Sequence, residues 1–387
     1  MTANTSSGGK KSVLVLWPRY NPGTPDVFRL FLDNFDAHIV FVSKGTKVFG
    51  NEGNLFSAIA DWMPTGHIEF WDYPGYRISE FSLSSAISLY GRIRKKMKER
   101  KWDFIFFSTQ APVHSKFAFL EAKLRGIPCG VKVEQWKKHP DMGIGHLLHQ
   151  YIGDIIIRNV NFAFPHGEAA RRYCLSLGRS LPIHILPLFV EYQPCKNFGN
   201  RFKKFVFCGR LVPEKEPLLA VKAFLSIRTE LNQGVRLVIA GDGPLMGDVR
   251  CLVESHGDEA VKSVDFIGTY RRDELPAILD ESSVLLLPSL NEGWGVVAIE
   301  AARLGRPLIL SDSVGAAYDL VQEGKNGFVF PTGDQPALEK AMRQIALMDE
   351  KNFLFAQQAS RKVFEEWNDL GKANEMLQQC VNAGRGR

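Results

Sequence analysis

The stretch from Val284 to Leu310 reads VLLLPSLNEGWGVVAIEAARLGRPLIL and contains the pattern that repeats through the chain. Four apolar residues come first, as in a buried strand, and a loop with two glycines follows. A helical segment is predicted from about Val296 to Leu304. Gly305 and Pro307, residue types that commonly stand just beyond a helix, end it before a second apolar string begins. Strand, loop, helix and strand in this order predict parallel strands that helices cover on both faces.

The same alternation recurs along almost the entire chain. In the front half, apolar strings predict strands at Ser12–Trp17, His38–Ser43, Phe104–Ser108, Gly130–Glu134, Phe162–Pro165 and Ile183–Leu186. In the rear half, they predict strands at Lys204–Cys208, Arg236–Ala240, Ser263–Ile267, Val284–Leu287, Pro307–Leu310 and Gly327–Phe330. We therefore predict an α/β protein of two doubly wound, Rossmann-like domains that face each other across a cleft.

Length and linker composition predict the domain organisation. A chain of 387 residues is too long for one compact core and suits two domains. The region around Pro194 and Gly199 has little apolar pattern, which indicates a linker. The expected segments are a disordered polar tail over 1–11, a front domain over 12–190, a linker over 191–203, a rear domain over 204–365, and a final helix within 366–387 that crosses back to the front domain.

Positive charge is concentrated in the front half. Residues 1–190 contain 24 Lys and Arg against 15 Asp and Glu, whereas the remaining residues contain 24 against 27. Residues 84–101 are predicted to form a basic amphipathic helix whose apolar stripe consists of Ile87, Tyr90, Ile93 and Met97. This helix is interpreted either as a contact to an anionic membrane surface or as a packed helix with a solvated charged face. No nucleic-acid-binding motif accompanies the charge, so no nucleic-acid partner is expected.

Composition argues against several other classes of protein. The six cysteines are scattered without a C-x-x-C pair, which argues against a disulfide framework and a cysteine-rich zinc site. No apolar run reaches the roughly 18 to 20 residues that a membrane span needs. The first residues lack the apolar core of a secretory signal. We therefore expect a cytoplasmic protein, which is peripheral to the inner face of a membrane if the basic helix contacts lipid.

Two loops of the rear half carry residues suited to an anion. After the first rear strand come Arg210 and Lys215, a cation pair that could hold a diphosphate or could be solvated surface charges. After the next strand, AGDGPL at 240–245 provides glycines that let backbone N–H groups approach an anion at a helix start. Because Gly247 falls one residue late, this loop does not match a dinucleotide-binding fingerprint.

A third loop carries two carboxylates. Glu292 precedes the predicted helix, and Glu300 lies inside it. Both side chains could then face one ligand and accept hydrogen bonds from two sets of hydroxyl groups. The alternative is a helix-capping acid together with an unrelated surface glutamate. Loop and turn segments at 311–315 and 324–329 complete the pattern of the rear half.

The order and spacing of these features resemble the glycosyl transferases group 1, which are retaining enzymes of GT-B architecture. The matching features lie within about residues 200–345 and include the Arg–Lys loop, the glycine loop, Phe266-Ile267-Gly268 and an E-x7-E pair in an Asn-Glu-Gly-Trp-Gly setting. The resemblance implies a metal-independent transfer of a sugar, with no cofactor, from a nucleotide diphosphate sugar. The acceptor would be a hydroxyl of a glycan, a glycolipid or a lipid-linked saccharide.

The resemblance also implies roles for individual residues. In the predicted catalytic set, Arg210 and Lys215 hold the donor diphosphate and Glu292 contacts the hydroxyls of the donor sugar. Glu300 is expected to hold the ribose hydroxyls, and Gly268 to border the nucleobase. The remaining donor-binding positions are expected to be Gly23, Gly209, Gly243, Trp294, Gly295 and Val296.

The front half departs from the family pattern. The loop containing Gly23 takes the place of a glycine-rich phosphate loop but lacks one glycine. Gln110 and Glu134 stand where the family often has histidine. They are interpreted either as acceptor-side residues, in which case they point to an unusual acceptor, or as ordinary polar groups at strand ends.

Two other functions stay open at this point. A nucleotide-sugar epimerase of the same architecture would need acid–base residues around the sugar but no acceptor pocket. A non-catalytic subunit that binds a sugar nucleotide and activates a partner would be compatible with Gln110 and Glu134. The complete set of Arg210, Lys215, Glu292 and Glu300 argues against such a subunit.

Overall fold

The computed structural model describes residues 10–18, 26–43, 66–73, 82–107, 112–134, 144–178, 181–190, 198–199, 201–232, 234–280 and 282–383. Contacts among these residues divide the chain into two compact units. The first unit spans the described residues within 1–166, 170–191 and 369–387, and the second spans those within 167–169 and 192–368.

The first unit is built on a parallel sheet. In its described residues the strands are β1 Ser12–Trp17, β2 Asp36–Ser43, β3 Ile68–Asp72, β4 Phe104–Phe107, β5 Cys129–Val133 and β6 Phe162–Pro165. They pair in parallel in the order β3-β2-β1-β4-β5-β6. The helices of this half are α1 Asp26–Asn34, α2 Leu83–Lys98, α3 Val113–Leu124, α4 Ile144–Asn159 and α5 Glu168–Ser176.

The second unit has a sheet of the same kind. Its strands are β7 Lys204–Cys208, β8 Arg236–Ala240, β9 Val264–Gly268, β10 Ser283–Leu287, β11 Leu308–Ser311 and β12 Gly327–Phe330, in the order β12-β11-β10-β7-β8-β9. Its α-helices are α6 Pro217–Ile227, α7 Met246–Glu254, α8 Asp258–Ser263, α9 Leu275–Ile278, α10 Val296–Arg303, α11 Ala317–Leu320, α12 Gln335–Ala346 and α13 Glu350–Trp367. The last helix of the chain, α14 Leu370–Ala383, belongs to the first unit. Short 3-10 turns occupy Pro213–Lys215, Arg228–Glu230 and Arg272–Glu274.

Both sheets are doubly wound. Counted from its own first strand, each has the order 3-2-1-4-5-6 that is typical of Rossmann-like folds. In the second unit the winding reverses between β7 and β10, which pair in parallel with Lys204 opposite Ser283. In such sheets ligands bind beyond the carboxyl ends of the strands at the reversal. The loops that follow β7 and β10 therefore lie where a ligand site is expected.

The strands are apolar because both sheet faces are covered. Every residue of β4 and of β10 is buried. In the first unit, alternate residues of β1 belong to two separate apolar clusters, one containing Val13 and Val15 and the other Leu14 and Leu16. Helices thus cover both faces of the first sheet, as the near-continuous apolar strings predicted.

The structure corrects two details of the predicted first sheet. Ile183–Leu186 is not a regular strand, since only Ile183 forms a bridge, with Ala163 of β6. Leu186 still donates its N–H to the carbonyl of Pro165. Pro165 has no N–H to donate in return, so the ladder cannot extend. Conversely, β3 was not predicted, because its residues are mostly half-exposed and include Glu69 and Asp72.

The basic helix differs from its prediction in length and in its buried face. It ends at Lys98 instead of Lys101. Ile87, predicted on the apolar stripe, is 63% exposed, whereas Ile93 and Met97 are buried as expected. Leu89 replaces Ile87 in the buried face. No helix in the described part of the chain combines the length and apolar character needed to cross a membrane.

The ends of the second unit are defined by aromatic and aliphatic packing. Phe202, in the predicted linker, is buried in the core of the second unit, and its ring centroid lies 4.7 Å from that of Phe205. After α13 the chain leaves the second unit, and α14 packs on α1 in the first unit. Ala373 and Leu377 of α14 are buried in the same apolar cluster as Phe31 of α1.

Candidate active site

The loops after β7 and β10 meet in an ion pair. Lys215, the last residue of the 3-10 turn after β7, pairs through Nζ with Oε2 of Glu292 in the loop after β10. The two side chains are 19% and 22% exposed. Because β7 and β10 are neighbours in the sheet, residues far apart in the chain become adjacent here. The structure thus brings together two of the three residues predicted to be catalytic.

Main-chain hydrogen bonds hold both partners of this pair in place. The N–H of Glu292 donates to the carbonyl of Ser313, 3.1 Å away, in the loop after β11. The N–H of Leu290 donates to the carbonyl of Glu214 at 2.9 Å, which joins the loop of Glu292 to the turn of Lys215. The position of the pair is therefore set by three strand-end loops and does not depend on the ion pair alone.

The glycine loop after β8 packs directly on the loop after β7. A Cβ added to Gly243 would lie 2.5 Å from the carbonyl oxygen of Leu211, and one added to Gly241 would lie 1.8 Å from that of Gly209. Leu211 also donates its N–H to the carbonyl of Asp242 at 2.9 Å. The sequence suggested glycines for backbone access to an anion. The structure adds a steric reason, since any side chain would separate the two loops.

Two backbone conformations at this edge are unusual. Glu216, directly after Lys215, has φ 52° and is the N-cap of α6. The left-handed region costs a residue with a side chain roughly 1 to 2 kcal/mol, and such strain often occurs at functional sites. Gly295 has φ 97° and is the N-cap of α10, and its added Cβ would lie 3.4 Å from Cγ of Glu292. The start of α10 therefore adjoins the Glu292 side chain, and the first N–H groups of a helix have no partner within the regular helical ladder.

Glu300 is the second carboxylate of the site, and it is buried on α10. Its Oε1 lies 2.5 Å from Nη2 of Arg272, which follows β9. Burial raises the pKa of Glu300, and the charges of Arg272 and Arg303 oppose that rise. Burial raises the pKa of the Cys208 thiol to about 12, and the charge of Glu300 contributes to this rise. Glu300 therefore lies close to the carboxyl end of β7.

Trp294 contributes its side chain to the core instead of to the loop surface. Its indole is buried and stacks on Trp367 with ring centroids 5.7 Å apart. Its Nε1–H donates to Oδ2 of Asp319 at 3.3 Å. Within this structure, a ligand at the loop could meet Trp294 only through its backbone.

The remaining predicted donor residues of the second unit lie on the same edge of the sheet. Arg210 is exposed and forms no ion pair with any described residue. Gly268 ends β9 with φ 75°, and its carbonyl accepts the N–H of Gly241 at 2.8 Å. Val296 begins α10 and is partly exposed. Arg210 and Val296 are thus exposed and Gly268 is half-buried, and none of the three forms a hydrogen bond or ion pair with Lys215 in the described part of the chain.

The predicted residues of the front half are only partly described. Gly23 and Gln110 lie outside the described residues. Glu134 directly follows β5, and its Oε1 lies 3.5 Å from Nε2 of His166, which follows β6. Burial lowers the pKa of His166 far below its usual value, so the ring is neutral at neutral pH. Glu134 and His166 thus share the carboxyl edge of the first sheet.

Sequence reasoning missed Lys132, which lies one position before the end of β5. The residue is fully buried, its Nζ has no hydrogen-bond partner among the described residues, and it lies 5.5 Å from the ring centroid of Trp17. Burial lowers the pKa of Lys132 to about 8. A lysine between two valines of a buried strand was the signal that could have identified it. His166 had no comparable signal, because histidine at a strand end is common.

The site of the second unit combines groups that bind phosphate with groups that bind hydroxyls. An ammonium and a helix start suit phosphate oxygens. The carboxyl oxygens of Glu292 and Glu300 can accept hydrogen bonds from hydroxyl groups. A ligand that carries both phosphates and sugar hydroxyls fits this combination. Two doubly wound units, with these loops at the winding reversal of the second sheet, are the features of the GT-B fold class.

Comparison with known proteins agrees with this class. Residues 191–362 match the family model described as glycosyl transferases group 1. Over these residues the match confirms the resemblance to this family that the sequence predicted.

Two of the relatives have names that contain a diphosphoundecaprenol-linked sugar. The chain is 31% identical over 160 residues to a Campylobacter jejuni α-1,4-N-acetyl-D-galactosaminyltransferase named for a diphosphoundecaprenol-linked acceptor, covering 41% of this chain and 42% of that protein. It is 27% identical over 292 residues to the Escherichia coli UDP-Gal:α-D-GlcNAc-diphosphoundecaprenol α-1,3-galactosyltransferase, covering 70% of this chain and 71% of that protein. The match thus spans less than half the length of the first relative.

Solved structures share the fold. A glycosyltransferase from Rickettsia africae superposes with a TM-score of 0.73 at 12% identity, covering 98% of this chain and 100% of that one. HepE from Anabaena, in complex with UDP and glucose, superposes with a TM-score of 0.70 at 14% identity, covering 96% and 100%. At these identities the likeness concerns the fold alone, and it confirms the predicted GT-B class.

Proposed function

We propose that this protein is a retaining glycosyltransferase that moves a sugar from a nucleoside diphosphate sugar to a hydroxyl of a lipid-linked saccharide. The observation that carries the proposal is the Lys215–Glu292 pair at the winding reversal of the second sheet. The match of residues 191–362 to the glycosyl transferases group 1 supports sugar transfer. The names of both relatives above, which contain diphosphoundecaprenol-linked sugars, support the class of acceptor.

In the proposed complex, Lys215 and Arg210 bind the donor diphosphate, Glu292 the sugar hydroxyls and Glu300 the ribose hydroxyls. The existing ion pair does not prevent this arrangement. An ammonium group has three N–H donors, so Lys215 can keep its bond to Glu292 and still donate to phosphate oxygens. The carboxylate and the ammonium would then hold the sugar and the phosphate on either side of the bond that breaks.

The proposed chemical step breaks the bond between the anomeric carbon and the phosphate oxygen. The sugar gains positive charge and the nucleoside diphosphate leaves with the bonding electrons. The acceptor oxygen forms the new bond on the same face, and its proton passes to an oxygen of the leaving phosphate. Arg210 and Lys215 stabilise the charge that develops on the phosphate, which lowers the barrier because the interaction is stronger in the transition state. These two cations serve in place of a metal ion in this proposal.

We also propose that α2 brings the enzyme to an anionic membrane surface at its cytoplasmic side. Arg92, Lys95 and Lys98 of this helix are exposed, as are Leu83 and Ile87 near its start. Cations beside exposed apolar side chains suit the surface of a bilayer that contains anionic lipid. Sedimentation with anionic liposomes at low salt should carry the protein into the pellet, and replacing Lys95 and Lys98 by glutamate should weaken this binding. A protein that stays in the supernatant contradicts the membrane proposal.

The function is tested with defined substrates. The purified protein is incubated with UDP-, GDP- and ADP-sugars and a synthetic polyprenyl-diphosphate-linked sugar, with and without EDTA. We expect one donor to be consumed, a product whose new linkage keeps the anomeric configuration of the donor by NMR, and the same rate in EDTA. A donor epimerised without transfer would instead identify an epimerase. Loss of activity in EDTA that added metal restores would contradict the metal-free step.

A further inference from the structure

Arg272, in the 3-10 turn after β9, forms a charged pair with Glu300 of α10. The Glu300 side chain is 7% exposed, whereas that of Arg272 is 44% exposed. Nη2 of Arg272 lies 2.5 Å from Oε1 of Glu300. A carboxylate buried so deeply is stable as an anion only when charges or hydrogen bonds compensate for its lost hydration. Arg272 supplies that compensation from the solvent side.

Within the part of the chain that the structure describes, four groups act on Glu300. The groups that act on it from neighbouring elements are Arg272 after β9, Arg303 on α10, Cys208 at the end of β7 and Tyr270 after β9. Burial raises the pKa of both Cys208 and Tyr270, so neither carries charge at neutral pH. Among the described residues, the two arginines are therefore the charges that oppose the effect of burial on the pKa of Glu300, and Arg272 is the one in direct contact.

We propose that Arg272 is a positioning residue for nucleotide binding, which keeps Glu300 ionised so that it can accept hydrogen bonds from both ribose hydroxyls. The inference rests on the proposed role of Glu300 as the ribose ligand. An ionised carboxylate has about four acceptor sites on its two oxygens. Arg272 can therefore donate to one site while the other sites stay available to the ribose hydroxyls. A protonated carboxyl would have to donate one hydrogen bond and could not serve two donating hydroxyls equally well. Arg272 thus acts through Glu300 without touching the nucleotide.

The test is calorimetric titration of the full-length protein with UDP and with 2′,3′-dideoxy-UDP from pH 6 to pH 9. Arg272→Ala should weaken UDP binding about tenfold at pH 7, the size expected for hydrogen bonds to a charged group. The defect should shrink as the pH rises, because the Glu300 of the variant then regains its charge, while wild-type affinity changes less over the same range. Binding of the dideoxy analogue should be nearly unaffected, because it lacks both hydroxyls. Arg272→Lys should restore most of the affinity for UDP.

The adjacent arginine provides a matched control. Arg271 is exposed and pairs with Asp273 at 2.6 Å, away from Glu300. Arg271→Ala should leave UDP affinity and its pH dependence unchanged. In a Glu300→Gln background, Arg272→Ala should change affinity less than twofold, since two residues that act through one interaction are not additive. If Arg272→Ala melts early, Arg272→Gln takes its place.

Three results would overturn the inference: unchanged UDP binding in Arg272→Ala, a loss that does not depend on pH, or an equal loss for UDP and its dideoxy analogue. The last result would mean that Arg272 contacts the base or the phosphates directly. Failure of the proposed function looks different. In that case the wild-type protein itself binds none of UDP, GDP and ADP. If it binds GDP or ADP instead of UDP, the same titrations are done with that nucleotide and its dideoxy analogue.

Discussion

At the scale of single residues, Lys215 illustrates how a side chain acquires its setting from the topology. The residue lies in a 3-10 turn that main-chain bonds join to the loop of Glu292. The following residue, Glu216, adopts a left-handed conformation that fixes the direction of the chain into α6. The ammonium is therefore held at the edge of the sheet before any ligand arrives. Groups that are held in advance stabilise a transition state without reorganisation.

Replacing Lys215 by alanine should lower kcat by about 100- to 1,000-fold, the loss typical of removing one preorganised donor to a developing charge. Lys215→Arg should retain more activity than the alanine variant, because it keeps the charge but changes its shape. Steady-state kinetics with a saturating donor measure both effects. Lys222→Ala is the control, since Lys222 is exposed on α6 and should be neutral. Turnover of Lys215→Ala within threefold of wild type contradicts the role assigned to the ammonium.

Lys132 is the opposite case, a cation whose burial costs stability. Its pKa is lowered to about 8, so the unfolded chain binds more protons than the folded one between about pH 8 and pH 10.5. Wild-type stability should therefore gain from this residue as pH rises through that window. Lys132→Met removes the buried ammonium and should be more stable at pH 7 by about 1 to 3 kcal/mol.

Urea unfolding at pH 7, 8.5 and 10 tests this prediction. The gap between Lys132→Met and wild type should narrow above pH 8, because the wild-type lysine then loses its proton. Lys101→Met changes an exposed lysine and should give no such pH dependence. If Lys132→Met is less stable than wild type at every pH, the buried ammonium stabilises the fold and the prediction is wrong.

At the scale of elements, apolar strings predicted most strands because both sheet faces are covered. The pattern could not resolve strands at the margin. In β3, charged residues stand among the apolar ones, so the apolar string is incomplete. Ile183–Leu186 has the composition of a strand, but the prolines around it interrupt the hydrogen-bond ladder of the sheet. The buried face of a helix was harder to predict than the position of a strand. Ile87 is apolar but exposed, whereas Lys96 is charged but buried, where it pairs with Glu69. Such choices depend on neighbouring elements that a local pattern does not contain.

The contact between the loops after β7 and β8 gives a prediction at this scale. Gly243→Ala should lower the free energy of unfolding by at least about 2 kcal/mol, because its Cβ would meet the rigid carbonyl of Leu211. Gly247→Ala, a few residues on in α7, is the matched control, since an added Cβ there has no atom within 4 Å. That change should be neutral or stabilise by up to about 1 kcal/mol. Thermal unfolding measures both, and equal melting temperatures for the two variants contradict the steric argument.

At the scale of the whole molecule, sequence and topology together predict part of the site. Once β7 and β10 are neighbours, Lys215 and Glu292 are expected to lie close, and they form a pair. The partner of Glu300 was not predictable, because Arg272 reaches it from a third strand end whose loop conformation has no sequence signature. Nor was the inward position of Trp294, which depends on Trp367 at the end of a distant helix. Gly23 and Gln110 lie outside the described residues, and the roles of all predicted site residues stay predictions.

The last helix of the chain packs against a helix that lies near the start of the sequence. Leu377 of α14 is buried with Phe31 of α1 in the core of the first unit, although α14 directly follows the last helix of the second unit. Leu377→Ala should therefore destabilise the first unit by about 2 to 5 kcal/mol, as other large-to-small core changes do. The loss should be local, so amide hydrogen exchange should accelerate in β1 and α1 and stay unchanged in β7.

Hydrogen exchange measured by mass spectrometry separates these regions within one experiment. Gln379→Ala, two positions further along the same helix, is exposed and should leave exchange as in wild type. The control matters because a general loss of helicity in α14 would affect both variants. If Leu377→Ala accelerated exchange equally in β1 and β7, the last helix would stabilise both units and its assignment to the first unit alone would be wrong. Unchanged exchange everywhere would instead mean that α14 contributes nothing to the core in which Leu377 is buried.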